Sequence, residues 1–111
     1  MEKVAFKDWE KLDLRIGTIK AVKQHPNADR LYVLLVDMGE DEQDRELVAG
    51  LKKYYQEQEL IGKKIVVFTN LEPKMVRGIP SEGMVLAADD GENEVSLLIV
   101  DKDVKNGAKI H

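Results

Sequence analysis

One long segment of the sequence carries side chains that could bind phosphate. Lys74 and Arg77 lie three residues apart within residues 70–88, so a single turn could direct both cations at one pair of phosphates. Asn70 can both donate and accept hydrogen bonds, as the recognition of a nucleobase edge requires. Ser81 could reach a phosphate or a ribose hydroxyl. This pattern predicts a nucleic-acid-binding loop.

The apolar side chains of that segment have two interpretations. Met84 offers a flexible surface on which a splayed base could lie, and packing in the core would explain it equally well. For Met75 and Ile79 we favour packing against the body of the domain. The alternative for the whole segment is a surface loop that binds nothing. We include Met84 among the predicted RNA contacts.

A second basic group surrounds a predicted turn. Residues 25–29 contain the Pro, Asn and Asp that are typical of turns, and Lys20, Lys23 and Arg30 flank them. If the turn joins the first two strands of a small barrel, these cations lie near the same face as the first group, and we predict that they contact RNA. The simpler alternative is that Asp29 pairs with Arg30 or Lys23.

Residues suited to catalysis are scarce. His25 and His111 have no partner at the spacing of metal ligands, and the chain has no cysteine. Ser81 and Ser96 are the only serines, and neither lies in a Gly-x-Ser-x-Gly motif. No glycine-rich phosphate loop precedes a helix. We therefore predict a protein that is not an enzyme and that uses no metal or cofactor.

Charge is unevenly distributed along the chain. The formal net charge is −4, yet residues 37–46 hold six acids and one base, and residues 89–94 hold four acids and no base. The rest of the chain has 16 bases and 11 acids, a net charge of +5. Because local potential steers a polyanion, a basic face is compatible with an acidic protein. Ordinary solvated charges are the alternative.

The length and hydropathy of the chain indicate one domain in the cytoplasm. The 111 residues fit a single domain with one modest core. Residues 1–12 alternate charged and apolar side chains, unlike a signal peptide. No apolar stretch reaches the roughly 20 residues that a membrane span needs. We predict no membrane partner.

Hydrophobic periodicity and turn residues predict a mainly β chain. A short amphipathic lead-in over residues 6–12 precedes the first strand, in which Gly17 indicates a bulge or bend. A helix over residues 51–61 ends at Gly62, and residues 70–82 form a loop. Six strands are predicted at residues 14–23, 31–38, 46–49, 64–69, 84–88 and 95–100.

The order of these elements predicts an all-β OB-fold. A five-stranded barrel would cover about residues 13–88, with one short helix closing its bottom and a C-terminal β extension over about residues 89–111. Periodicity alone leaves another small barrel as an alternative. In an OB-fold, the loop between the fourth and fifth strands borders the ligand-binding face. Residues 70–82 would occupy that position.

Four blocks of the sequence form a series. They are residues 13–19 (DLRIGTI), 25–32 (HPNADRLY), 45–51 (RELVAGL) and 70–84 (NLEPKMVRGIPSEGM). The series resembles the tRNA-binding domain found at the C-terminus of methionyl-tRNA synthetases and in free-standing tRNA-binding proteins. Each block alone is a weak signal, but all four in this order are specific and cover nearly the whole chain.

The resemblance implies an OB-fold, homodimerisation through the C-terminal extension and nearby strands, and recognition of tRNA by its shape. The length fits either a separate β subunit of methionyl-tRNA synthetase or a free-standing tRNA-binding protein of the same type. In the first case the catalytic chain of that enzyme is a partner and would hold any ligase activity. Glu72 is a departure from the family pattern, because it lies inside the basic loop, where a neutral or basic residue would favour tRNA binding more. The family associates tRNA binding with the residues that match Asn70, Lys74, Arg77, Ser81 and Met84.

A peptide-binding secretion chaperone of the same fold is the alternative. Its key loop has a Phe-Pro-Pro type of sequence and lacks Gly-Met after Ser-Glu. Leu71-Glu72-Pro73 and Gly83-Met84 in this chain therefore favour the tRNA-binding branch. A third interpretation is a cytokine-like or scaffold role, and a fourth is a purely structural role as a dimerising tag for a synthetase.

Overall fold

Runs of valine, isoleucine and leucine form the longer strands of the chain, because such side chains pack well on a pleated sheet. The computed structural model describes all residues from 1 to 111. The elements are α1 Phe6–Trp9, β1 Leu14–Gln24, β2 Tyr32–Asp37, β3 Arg45–Ala49, α2 Glu57–Leu60, β4 Lys64–Phe68, β5 Lys74–Val76, β6 Ile79–Ser81, β7 Met84–Val85, β8 Ala87–Asp89 and β9 Val95–Leu97. Neither helix has the length and hydropathy to cross a bilayer.

Five strands form one antiparallel sheet in the order β3-β2-β1-β4-β7. The segment around β7 returns to β3, where the Glu82 amide donates to the Glu46 carbonyl at 2.9 Å and the Val48 amide donates to the Ser81 hydroxyl at 3.0 Å. The sheet is therefore nearly closed. This OB-like barrel confirms the predicted all-β class and the five-stranded barrel with one short helix.

The interior of the barrel contains most of the buried apolar side chains. Leu34 of β2, Leu47 of β3 and Ile65 of β4 are fully buried in one cluster. Leu60 of α2 is fully buried in the same cluster, so the helix covers part of the barrel core. Burial of each such side chain stabilises the fold by about 1.5–3 kcal/mol.

The predicted helix over residues 51–61 is wrong in its extent, because α2 begins only after Gln56. Gln56 has an extended backbone (φ −84°, ψ 156°) and forms a reciprocal capping box with Glu59. That box satisfies amides at a helix start, and a helix cannot continue through an extended residue. Gly62, with a φ of +93°, follows the short helix.

The segment predicted as a loop contains a hairpin. β5 and β6 pair through Lys74 with Ser81 and through Val76 with Ile79, which leaves residues 77–78 as a two-residue turn. Both turn residues have a positive φ, +52° and +90°, as a type I′ turn requires. We call residues 74–81, which contain the two cations predicted to bind phosphate, the binding hairpin.

At Gly17 the backbone of β1 lies close to the side chains of Val36 and Met38, and the strand has no bulge there. The register of β1 against β2 shifts between Ile19 and Ala21, so the bulge predicted at Gly17 lies elsewhere. A Cβ on Gly17 would lie 2.6 Å from Val36 Cγ1 and 2.7 Å from the Met38 sulfur. Close packing against β2 therefore requires a glycine at this position.

The C-terminal residues fold back over the outer face of the barrel. β8 and β9 form a separate two-stranded sheet, so the predicted strand at residues 84–88 divides between two sheets. Farther on, the Ile110 amide donates to the Leu14 carbonyl at 2.9 Å. Ile110 thereby packs on a second apolar cluster formed by Leu14, Ile16 and Val66.

Candidate nucleic-acid interface

The binding hairpin presents two cations to solvent. Lys74 begins β5, Arg77 occupies the turn, and both residues are exposed. Arg77 has a left-handed backbone, which costs a non-glycine residue about 1 kcal/mol or more. Asn and Gly are the usual residues there. Local stability therefore does not explain an arginine at the tip of the hairpin.

The turn between β1 and β2 packs against the tip of the binding hairpin. His25 Nε2 lies 2.9 Å from the Val76 carbonyl, and the Asn27 amide donates to His25 Nδ1 at 3.0 Å. The side chain of Asn27 also donates to the Arg77 carbonyl at 3.4 Å. We call residues 25–31 the docking turn. It forms one continuous surface with the hairpin.

That surface contains a cationic cleft. Arg30 and Arg77 line an open cleft of about 390 Å³ together with Ala28, Asp29 and Leu31. The two connections that meet here are the ones with which OB barrels bind oligonucleotides. The structure thus brings together two predicted cations that are far apart in the sequence.

Three of the predicted cations have no acidic partner. The molecule has five ion pairs within 4.0 Å, and none of them includes Arg30, Lys74 or Arg77. We call these three residues the free cations. Asp29 forms no ion pair either, so the alternative that it pairs with Arg30 or Lys23 is wrong.

Lys20 and Lys23, the two residues of β1 that were predicted to contact RNA, are paired with acids, and we call these two lysines the paired cations. Lys20 Nζ lies 2.8 Å from Asp44 Oδ2, and Lys23 Nζ lies 4.0 Å from Glu46 Oε2. The hydrogen bond to Asp44 raises the pKa of Lys20 above its ordinary value. Neither lysine lines the cationic cleft.

Asn70 holds the N-terminal segment to the barrel. Its Oδ1 accepts from the Asp13 amide at 2.8 Å, and its Nδ2 donates to the Lys11 carbonyl at 2.7 Å. Asn70 lines a groove with Asp44 and Glu72 and does not line the cationic cleft. One N–H and one lone pair of its exposed amide remain for a ligand.

Ser81 and Met84 differ in their access to solvent. Ser81 is only 6% exposed, and its hydroxyl accepts from the Val48 amide and donates to the Gly83 carbonyl, both at 3.0 Å. It therefore anchors the base of the binding hairpin to β3. Met84 on β7 is 46% exposed, so part of its side chain is open to a ligand.

A second network of polar side chains lies beside the start of β1 and the end of β4. Arg15 Nε is 3.0 Å from both carboxylate oxygens of Asp13, and the Thr69 hydroxyl donates to the same carboxylate. The hydrogen bonds from Arg15 and then Thr69 lower the pKa of Asp13, while Asp13 raises the pKa of Arg15. No cluster of three or more His, Asp or Glu side chains is arranged to hold a metal ion.

Sequence reasoning missed the hairpin and the role of His25. The signal for the hairpin was Arg77-Gly78 between two short segments with apolar residues, since a two-residue turn ending in glycine is typical of hairpins. For His25 no local signal was available, because its partner Val76 lies 51 residues away.

Comparison with known proteins identifies the family. A family model described as a putative tRNA-binding domain matches residues 14–109. Methionine–tRNA ligases of Pyrococcus horikoshii and Pyrococcus abyssi are 59% and 61% identical over 110 and 107 residues. These matches cover 99% and 96% of this chain but only 15% and 14% of the ligases. The chain therefore spans a small part of the length of these relatives.

Two solved structures share the whole fold. A MetRS-related protein from Pyrococcus horikoshii matches with a TM-score of 0.91 at 30% identity and covers all of both chains. The chaperone CsaA from Bacillus anthracis matches with a TM-score of 0.90 at 34% identity, over 99% of this chain and 100% of that one. Since the family model covers nearly every residue from β1 to the C-terminal segment, the chain belongs to the family of putative tRNA-binding domains.

Proposed function

We propose that this chain binds tRNA by shape and charge, with little sequence preference, through the docking turn and the binding hairpin. The observation that carries the proposal is the cationic cleft, which Arg30 and Arg77 both line and in which neither arginine forms an ion pair within 4.0 Å, although Asp29 also lines the cleft. Phosphate contacts supply most of the affinity of such surfaces. The family match supports tRNA as the ligand.

Four side chains make direct contacts in this proposal. Arg30, Lys74 and Arg77 bind phosphates, because they are exposed and no carboxylate lies within 4.0 Å of their charged groups. Met84 gives a base an apolar surface, because its side chain is partly open and flexible.

The other proposed site residues act less directly. Ser81 and Asn70 hold the segment in place through their hydrogen bonds to the barrel and to the N-terminal segment. Lys20 and Lys23 contribute to RNA binding only when phosphate competes with Asp44 and Glu46 for them.

We also propose that the chain acts as a homodimer and as a non-catalytic subunit of a cytoplasmic methionyl-tRNA synthetase. The exposed Leu98, Ile99 and Val104 of the C-terminal extension support the dimer, since such apolar residues commonly mark an interface. The identity with methionine–tRNA ligases supports the catalytic partner. Light scattering tests the dimer: Ile99→Asp should halve the mass, and a monomeric wild type would contradict it.

A salt titration of tRNA binding tests the main proposal. The logarithm of the association constant should fall linearly with the logarithm of the salt concentration, and each lost phosphate contact should make the slope shallower by about 0.9. Lys74→Ala with Arg77→Ala should therefore lose most of the binding and make the slope shallower by nearly two.

The matched control neutralises the paired cations. Lys20→Ala with Lys23→Ala removes the same charge and should weaken binding by about threefold or less, because those lysines already have acidic partners. Binding that does not depend on salt, or no loss in the Lys74 and Arg77 variant, would contradict the proposal.

Peptide binding is the second candidate. The likeness to the chaperone CsaA favours it. A small pocket of about 150 Å³ does too, because four of its six lining residues are apolar (Ala21, Val22, Val33 and Leu35, beside Lys23 and Glu46). Competition between bulk tRNA and an unfolded polypeptide separates the two functions, because only the better ligand displaces the other at equal concentration. A dimer that binds neither would leave only the dimerising role.

A further inference from the structure

His25 is a buried polar residue whose two ring nitrogens are both used. The residue is 5% exposed, although it lies in a surface turn. Nδ1 accepts from the Asn27 amide at 3.0 Å, so this nitrogen carries no hydrogen. Nε2 then carries the hydrogen and donates to the Val76 carbonyl at 2.9 Å. The two bonds together specify one neutral tautomer.

These bonds join two separate elements. The acceptor bond shapes the docking turn from within, and the donor bond reaches the residue immediately before Arg77 in the binding hairpin. The side chain of Asn27 adds a weaker bond to the Arg77 carbonyl at 3.4 Å. Arg30 and Arg77 therefore lie on elements that are connected through His25 and its neighbour.

The binding hairpin needs such a tether at its tip. β5 and β6 have three residues each and form a sheet of their own, so the main sheet does not pair with β5. An isolated two-stranded hairpin is marginally stable. Ser81 anchors the base of the hairpin to β3, and His25 is the buried contact at the opposite end.

We propose that His25 is a positioning residue that fixes the hairpin tip on the docking turn and so sets the spacing of Arg30 and Arg77 in the cationic cleft. The inference rests on the proposed tRNA binding for its consequence in affinity. Its structural part, the coupling of the two elements, can be measured without RNA.

Two substitutions separate the two bonds of His25. In His25→Asn, the side-chain oxygen can still accept from the Asn27 amide, but the side chain is too short to reach the Val76 carbonyl. In His25→Gln, the longer amide can donate to that carbonyl. Circular dichroism and thermal melting show whether both variants fold, and Asn27→Asp on the exposed surface is a milder test of the same coupling.

The first measurement is trypsin cleavage of the Arg77–Gly78 bond, followed by mass spectrometry without RNA. His25→Asn should be cut at this bond at least about fivefold faster than the wild type, because a released tip enters the protease more readily. His25→Gln should stay within about twofold of the wild type. Unchanged cleavage in His25→Asn and Asn27→Asp would overturn the coupling.

The second measurement is tRNA affinity as a function of salt. His25→Asn should weaken binding by about five- to tenfold. It should also make the slope of the logarithm of the association constant against the logarithm of salt shallower by about 0.9, which corresponds to one phosphate contact. In an Arg77→Ala background, His25→Asn should add less than about a twofold loss, because the two changes remove the same contact. Independent losses, or wild-type affinity in His25→Asn, would overturn the positioning role.

The two proposals fail in different ways. If wild-type protein does not bind tRNA, the proposed function is overturned, and the cleavage rates alone decide whether His25 couples the two elements. If wild-type protein binds tRNA through Lys74 and Arg77 but His25→Asn leaves cleavage and affinity unchanged, only the inference about His25 is overturned.

Discussion

The free cations and the paired cations lie on the same barrel but have different surroundings. Lys74 and Arg77 project from a hairpin with no carboxylate at ion-pair distance, whereas Lys20 lies 2.8 Å from Asp44 on the neighbouring acidic segment. Identical residue types therefore differ in their availability to a polyanion. A basic side chain contributes to nucleic-acid binding when the fold leaves it unpaired, whatever the net charge of the chain.

The position of the acidic segment explains how a protein of net charge −4 keeps a cationic cleft. Residues 37–46 follow the end of β2, and the docking turn precedes its start. Six residues of strand span on the order of 20 Å, whereas the screening length at physiological salt is about 8 Å. The acids between β2 and β3 therefore weaken the potential at the cleft only slightly, while Glu46 on β3 lies nearer and pairs with Lys23.

Charge reversal should give the largest difference between the two sets. Lys74→Glu with Arg77→Glu should reduce tRNA affinity at least about 100-fold, since two phosphate contacts become repulsions. Lys20→Glu with Lys23→Glu makes the same change in net charge and should cost about tenfold or less. Gel shifts at one salt concentration measure both, and equal losses would remove the distinction between the sets.

Removing the Ser81 hydroxyl, which anchors the hairpin to β3, should have the next largest effect. Ser81→Ala removes the acceptor of the Val48 amide and the donor to the Gly83 carbonyl, so unfolding should become easier by about 2 kcal/mol. The exposed Ser96→Ala is the matched control and should change stability by less than about 0.5 kcal/mol. Urea denaturation measures both. Equal stability of the two variants would show that Ser81 does not anchor the hairpin.

Releasing the paired cations should convert them partly into free ones. Asp44→Asn with Glu46→Gln should strengthen tRNA binding about fivefold and steepen its salt dependence, because Lys20 and Lys23 lose their partners. Glu2→Gln with Asp101→Asn changes the net charge equally at residues without ion pairs and should have a smaller effect. If both pairs of substitutions act alike, net charge and not pairing determines affinity.

Arg15 also has an acidic partner, Asp13, and this pair should make the stability of the protein depend on pH in acid. Arg15 and Thr69 hold the folded-state pKa of Asp13 below its ordinary value of 3.8. The resulting stability is present above that value and is lost as pH falls through 3.8 towards the lower folded-state pKa. Asp13→Asn should lose about 1 kcal/mol at neutral pH and show a flatter loss of stability in acid. Denaturation of both proteins at pH values from about 6 to about 2, which include the pKa values of carboxyl groups, measures this difference in stability.

The smallest effect concerns the backbone of Arg77. Arg77→Asn should leave the free energy of unfolding unchanged or raise it by up to about 0.5 kcal/mol, because asparagine tolerates the left-handed conformation better. The same substitution should weaken tRNA binding. Thermal melting and a gel shift on the same sample test this. A variant that loses stability would show that the arginine side chain holds the hairpin and is not primarily a ligand contact.

The strands with strong apolar runs, and their order along the chain, follow from local patterns of residues. β1, β2, β3 and β4 lie within one residue of their predicted bounds, because β-branched runs between turn residues allow few other structures. The same local reasoning overextended α2 and missed β5 and β6. A capping box and a left-handed arginine are local features, but their outcome depends on the barrel that holds them.

Which of the predicted site residues contact one another depends on the packing of the whole barrel. Closure of the barrel places His25 beside Val76, Lys20 beside Asp44 and Asn70 beside Asp13. It also buries the hydroxyl of Ser81, which the sequence presented as a free donor. These contacts join residues 24 to 57 positions apart, and periodicity carries information only about near neighbours. The charge of a side chain follows from its type, whereas its availability to a ligand follows from the strands that the fold places beside it.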